Sequence, residues 1–187
     1  MQSRLPSTDD TLAGFEQTIV PHLDAAYKLA RLLSKDADAA QDIVQEAFLR
    51  AYRGFAGYRG ENARAWILEI VRNCYYDWLM RQRRKSRLEV DFRDAGYTEE
   101  FILNRSSDEC TPEAMLVREA ERQTVRFVLD TMPLPLREIL VLRELDGLSY
   151  RQISEITALP IGTVMSRLAR ARRAFGDAWQ REKNKSC

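Results

Sequence analysis

Thr163, Ser166, Arg167, Arg170 and Arg173 lie close together near the end of the 187-residue chain. On a helix at 100° per residue they share an arc of about 120°. Val164, Leu168, Ala171, Phe175 and Trp179 fall on another side by steps of three and four. One side is built to pack, and the other offers hydroxyls and guanidinium groups. Those groups bond base edges and phosphates in duplex DNA. From Arg167 to Lys185 seven basic residues face only Asp177 and Glu182. Such a field suits a phosphate backbone and predicts binding that weakens steeply with salt. Charge alone would fit a solvated face equally well, so the elements around these residues must decide.

Two further clusters are suited to recognition. Glu69, Arg72, Asn73, Tyr76, Asp77 and Arg81 form a polar face, followed by Arg83, Arg84, Lys85 and Arg87. Aromatic rings among arginines suit single-stranded DNA, where bases stack and phosphates are neutralised. The preceding loop, Tyr58, Arg59, Gly60, Glu61 and Asn62, could accept an unstacked base. Trp66 and Trp78 are spaced with the apolar residues and are read as core. Farther upstream, Asp42, Gln45 and Glu46 with Leu49 and Arg50 lie opposite an apolar stripe and beside Phe48. That mixture suits a protein partner, with a solvated face as an equal reading. No Ser/His/Asp set, phosphate-cradling glycine loop or metal-spaced His/Cys cluster is visible, so no enzyme, cofactor or metal centre is expected. Cys74, Cys110 and Cys187 are too far apart for a metal spacing or disulfide framework. Cys74 reads as a buried thiol and His22 as a surface or partly buried histidine.

The elements that carry these clusters read as all-α. Apolar residues make up 45% of the chain and net charge is +1, so the whole is not a polycation and any DNA contact must come from clustered charge. No period-two stretch argues for strands. No signal peptide or membrane span is read. Residues 1–12 are polar and expected to fray. Residues 13–86 form a first helical module. Its first helix covers about Phe15–Leu33, with Pro21 kinking it or shifting its start. A second is capped by Asp36 or Asp38, then comes a loop over Gly54–Gly60. A third has Ile67, Ile70, Val71, Cys74 and Trp78 as its buried stripe. Residues 87–111 read as a flexible acidic linker with a possible short helix at Glu99–Leu103. Residues 112–182 form a second module that opens on Thr111-Pro112-Glu113. A helix from Pro135 ends at Asp146-Gly147. Ser149 and Gln152 then resemble a capping box, before a short helix Tyr150–Thr157, a turn near Leu159-Pro160 and a last helix Ile161–Trp179. Short helix, tight turn and longer basic helix is the layout of a helix-turn-helix, which favours DNA over solvent for the basic face.

These residues resemble the extracytoplasmic-function (ECF) sigma factors. DADAAQDIVQEAFLRAY, Asp36–Tyr52, is similar to their region-two helix, which grips the β′ clamp helices of RNA polymerase. AWILEIVRNCYYDWLMR, Ala65–Arg81, is similar to their −10-element helix. LDGLSYRQIS, Leu145–Ser154, with PIGTVMSRLARAR, Pro160–Arg172, resembles their region-four helix-turn-helix. The resemblance covers about residues 15–180. It implies a non-catalytic, cytoplasmic sigma subunit that directs core polymerase to promoters. Asp42, Gln45, Glu46 and Phe48 would hold core. Arg59, Gly60, Glu61, Asn62 and Asn73 would engage melted −10 bases, with Arg81 and Arg84 on phosphates. Ser166 and Arg170 would face −35 bases, while Tyr150, Thr163 and Arg167 would touch backbone beside Arg173. It further implies the β flap and an anti-sigma factor as partners.

Met165 and Ala169 stand where the family often carries a basic and a bulky residue, so the −35 sequence cannot be copied from relatives. Three alternatives stay open: a helix-turn-helix regulator that never touches core, a small helical enzyme, and a sigma-like protein without promoter activity.

Overall fold

The structure is a computed structural model that describes residues 8–60, 62–88 and 112–185. Glu61, Cys110, Cys187 and nearly all of the expected linker, including Glu99–Leu103, lie outside the described residues. Eight α-helices and no strand occur among those described.

Four helices form the first group: α1 Thr8–Thr18, α2 Leu23–Ser34, α3 Ala37–Gly54 and α4 Ala63–Leu88. The expected helix over Phe15–Leu33 is two. Pro21 lacks an amide hydrogen, and the chain passes through a 3₁₀ turn at Val20–His22 before α2 starts. Helix α1 reaches back to Thr8, into the segment expected to fray. Asp36 rather than Asp38 caps α3: its Oδ1 accepts the Ala39 amide at 2.8 Å. Ile19, Leu29, Leu33, Ile43, Ala47, Ile67 and Val71 meet in the interior. Each fully buried aliphatic side chain there contributes about 1.5–3 kcal/mol.

The second group is α5 Pro112–Thr131, α6 Leu134–Leu140, α7 Tyr150–Thr157 and α8 Ile161–Lys185. Val141–Leu145 continue α6 as a π turn, in which the Asp146 amide reaches the Val141 carbonyl at 3.1 Å. The capping box at α7 forms both ways. Gln152 N–H donates to Ser149 Oγ at 3.2 Å, and Ser149 N–H to Gln152 Oε1 at 2.8 Å. Ala158, in the left-handed region at φ 54°, ends α7. Helix α8 runs on from Trp179 to Lys185.

The two groups pack on each other and their buried residues form one continuous cluster. Helix α4 is therefore buried on more than its expected stripe. Leu68 and Tyr75 are as enclosed as Ile67 and Cys74, whereas Ile70 and Trp78 are only half-buried.

Candidate nucleic-acid and protein interfaces

Helix α8 presents the first candidate surface. Val164, Leu168 and Ala171 are buried, which fixes the helix roll and turns Ser166, Arg170 and Arg173 outward. Thr163 and Arg167 are half-buried at its edge. The outward side chains make only weak local bonds: Ser166 Oγ donates to the Thr163 carbonyl at 3.1 Å and Arg170 Nε to the Ser166 carbonyl at 3.4 Å. Met165 is 52% exposed beside them. Arg172 points elsewhere and grips Glu144 at 2.7 and 2.9 Å, bracing α8 against the π turn. Tyr150 opens α7 with its ring under the Arg143 guanidinium, 5.0 Å from carbon to centroid. Phe175 and Trp179 stack on each other at 6.1 Å, half-buried, and Ala178 takes the enclosed position between them.

The second surface is the loop before α4. Tyr58 is sandwiched between Phe55, 6.0 Å away, and Trp66, 4.7 Å away. Gly60 lies against that ring, so a β-carbon there would come within 2.9 Å of Tyr58 Cε2. Asn62 caps α4 by accepting the Ala65 amide at 2.9 Å. These residues, with Arg59, Trp66 and Glu69, line a cleft of about 540 Å³ whose far wall is Gln152, Glu155 and Ile156 of α7. Trp66 packs half-buried against the core, and its outer side forms an edge of this cleft. Its aromatic spacing was visible in sequence; the open side depends on tertiary placement. Asn73 and Arg84 are exposed on α4, and Arg81 donates to the Asp77 carbonyl at 3.3 Å.

Arg72 and Tyr76 belong to the polar face expected to meet DNA, and the structure turns them to α6 instead. Arg72 Nε donates to Glu138 at 2.6 Å and Tyr76 Oη to its other oxygen at 3.2 Å. Burial and the Glu138 charge push the Tyr76 phenol up to about 12. Arg64 reaches Asp146 at 2.7 Å. That carboxyl is nearly enclosed, and burial raises its pKa against the opposing pull of Arg64. Arg137 donates to the Leu33 carbonyl at 3.1 Å, and the Lys35 ammonium donates to the Asp130 carbonyl. Arg137 Nε, like Arg64 Nε, is buried without a hydrogen-bond acceptor, and Arg137 Nη1 has only the Asp130 carboxylate at 3.9 Å. Burial lowers the pKa of that guanidinium. Each such unpaired donor costs about 1–3 kcal/mol, so the contact between the groups is weaker than its ion pairs suggest.

The third surface lies on α3. Asp42, Gln45, Glu46 and Leu49 line a cleft of about 390 Å³ with Trp78, Arg81 and Lys85 of α4. Arg50 bridges Glu46 and Asp77, each at 2.7 Å, locking α3 to α4. Trp78 packs half-buried against the core and also forms a wall of this cleft. Phe48 points away from it and meets Phe15 of α1 edge-on at 6.3 Å.

A helical chain with a helix-turn-helix in its second group and an aromatic, arginine-bearing cleft before α4 has the surfaces of a two-module nucleic-acid-binding protein. Comparison with known proteins makes this specific. Residues 18–85 match the family described as Sigma-70 region 2, and residues 122–175 match Sigma-70, region 4. The ECF RNA polymerase sigma-E factor of Escherichia coli K12 is 38% identical over 159 residues, 82% of each chain. The RNA polymerase sigma-H factor of Pseudomonas aeruginosa is 38% identical over 147 residues, 78% of this chain and 75% of that one. Among solved structures, the sigma factor RpoE of Bartonella quintana, in complex with the anti-sigma factor NepR, matches with TM-score 0.73 and 25% identity. It covers 89% of this chain and 97% of its own. CnrH, in complex with the cytosolic domain of CnrY, shares the fold at TM-score 0.57 and 23% identity, covering 89% and 87%.

The chain belongs to the sigma-70 family of RNA polymerase sigma factors, in its ECF group. It is a promoter-specific transcription initiation factor.

Proposed function

We propose a division of labour among the three surfaces. Residues 13–86 bind core polymerase and read the −10 element, residues 112–182 read the −35 element, and residues 87–111 connect them. Asp42, Gln45 and Glu46 meet the β′ clamp helices, with Phe48 supporting them through α1. Arg59, Gly60, Glu61, Asn62 and Asn73 take melted −10 bases, and Arg81 and Arg84 take phosphates. Ser166, Arg170 and Arg173 enter the −35 major groove while Tyr150, Thr163 and Arg167 hold its backbone. The region-four module sits on the β flap. This chain supplies specificity, and core polymerase carries out RNA synthesis in the cytoplasm. The observation that carries this reading is the α8 face, with Ser166, Arg170 and Arg173 turned outward by a buried Val164–Leu168–Ala171 side. One solved relative, RpoE of Bartonella quintana, is in complex with the anti-sigma factor NepR, which supports an anti-sigma partner here.

Reversing charge with Asp42→Arg and Glu46→Arg tests the division. Capture of sigma-free core should fall at least about tenfold, a loss of 1.4 kcal/mol or more, while −35 duplex binding by the free chain is kept. Retained core capture would move the polymerase contact off α3, whereas failure of the unaltered chain to capture core, with −35 duplex binding kept, would favour a helix-turn-helix regulator that never touches core.

A further inference from the structure

We infer that the cavity between α2, α5 and the π turn binds an anionic amphiphile, an unbranched alkyl chain that ends in a carboxylate or a phosphate. Neither core binding nor promoter reading, as proposed above, uses this site.

The cavity measures about 490 Å³, within the range that encloses a small ligand. Leu32 of α2, Val125 and Leu129 of α5 and Leu145 of the π turn give it aliphatic walls. Its charge is one-sided. Lys28, Arg31, Arg64, Arg122 and Arg126 line it against two acids, Asp24 and Asp146. Asp24 is already paired with Lys28 and Asp146 with Arg64. Arg31 differs from both of those bases. It is 8% exposed, and its guanidinium has no ion pair or hydrogen bond among the described residues. Burying a charge without a partner is costly, so such groups are paired or neutralised. The last-turn carbonyls of α2 offset part of the charge, but no carboxylate completes the pair. An anion in the cavity completes it, with Arg122 and Arg126 adding positive field from α5.

The walls decide what the anion carries. Among the described residues that line the cavity there is no aromatic ring to stack a nucleobase and no amide side chain to read its edge. A nucleotide would set a polar base against aliphatic side chains. An alkyl chain instead gains with each methylene it buries against Leu32, Val125 and Leu129.

The probes are decanoate and decyl phosphate, kept below the concentrations at which they form micelles. Isothermal titration calorimetry on the full-length chain reads affinity, and thermal unfolding followed by circular dichroism reads the stabilisation that binding to the folded chain brings. Both probes should bind at a single site and raise the melting temperature. Decanol, with the same chain and no charge, should bind at least about tenfold more weakly. Arg31→Met should weaken both anions at least about tenfold. It should also leave the melting temperature of the ligand-free chain equal or higher, because an unpaired buried charge is gone. Arg31→Lys should recover part of the affinity. Val125→Trp fills the cavity with charge unchanged and should abolish binding in a chain that keeps its helicity. Decanoate bound by Arg31→Met as by wild type, decanol bound as tightly as decanoate, or uptake without saturation would overturn the site. A ligand-free Arg31→Met chain that melts lower would mean that the fold itself satisfies the guanidinium, which overturns it too. ATP bound more tightly than decyl phosphate, and lost in Arg31→Met, would overturn the alkyl assignment in favour of a nucleotide.

Discussion

The two surfaces proposed to read DNA are built in different ways. The α8 face is preformed: its outward side chains make only local bonds to their own helix, and the buried side of the helix fixes their direction. On the surface proposed for the −10 element several groups already have partners inside the protein: Tyr58 lies between the rings of Phe55 and Trp66, Gly60 lies against Tyr58, and Asn62 caps α4. A duplex can dock on the first surface as a rigid body. On the proposed reading, the loop of the second exchanges internal partners for bases. That difference matches the two tasks, since duplex DNA arrives with fixed geometry and melted bases do not.

The strongest way to break the comparison is to remove the scaffold of one reader. Leu168 is 1% exposed, and Leu168→Ala should destabilise the region-four group by about 2–5 kcal/mol. Thermal unfolding followed by circular dichroism should show the loss, and −35 binding should fail while −10 single-strand binding survives. Loss of both together would mean that the groups unfold as one unit, as their continuous core allows.

Smaller changes sharpen it. Arg170→Ala should cost about 1–3 kcal/mol of −35 duplex affinity and relax preference at one base position. Binding selections from randomised −35 duplexes measure both, and a uniform loss over all sequences would reassign Arg170 to the backbone. Ser149→Ala removes one half of the α7 capping box and should cost about 1 kcal/mol. Denaturant unfolding reads it, and no change would mean that Gln152 alone suffices. The smallest effect expected is at His22. Burial, then Arg64, lowers its pKa from 6.5, so the unfolded chain binds the proton more readily than the folded one. Stability is therefore lost as pH falls below 6.5, and His22→Gln should flatten that decline. Melting temperatures between pH 8 and about 5 test the sign. Equal slopes in both proteins would remove His22 from the account.

Local chemistry was legible in the sequence where a cause and its effect lie within one helical turn. The Ser149–Gln152 box and the Val164–Leu168–Ala171 side follow from spacing alone, and the structure has both; for the α3 cap spacing left Asp36 and Asp38 open, and the structure selects Asp36. Pro21 was recognised as a disturbance, but whether it kinks or divides a helix depends on packing around Val20–His22. The contacts between the groups were not legible. Arg64 and Asp146 are 82 residues apart, Arg72 and Glu138 66 apart. In sequence Arg72 looks like any other arginine on a polar face. Leu68 and Tyr75 carried the only hint: two large side chains off the main stripe of α4, which make sense only if a second surface covers them. Trp66 and Trp78 pack against the core as their spacing indicates but are only half-buried, because apolar spacing shows which way a residue points and not whether anything closes over it. The π turn has no sequence signature, so the placement of Asp146 could only come from the structure.

The central claim, that this chain gives core polymerase its promoters, is tested most directly by adding it to sigma-free core with fragmented host DNA and mapping RNA 5′ ends. New, reproducible starts that share two upstream elements are the predicted result. Asn73→Ala should weaken use of the nearer element and Arg170→Ala use of the farther one. No new starts, with core bound or unbound, would contradict the claim.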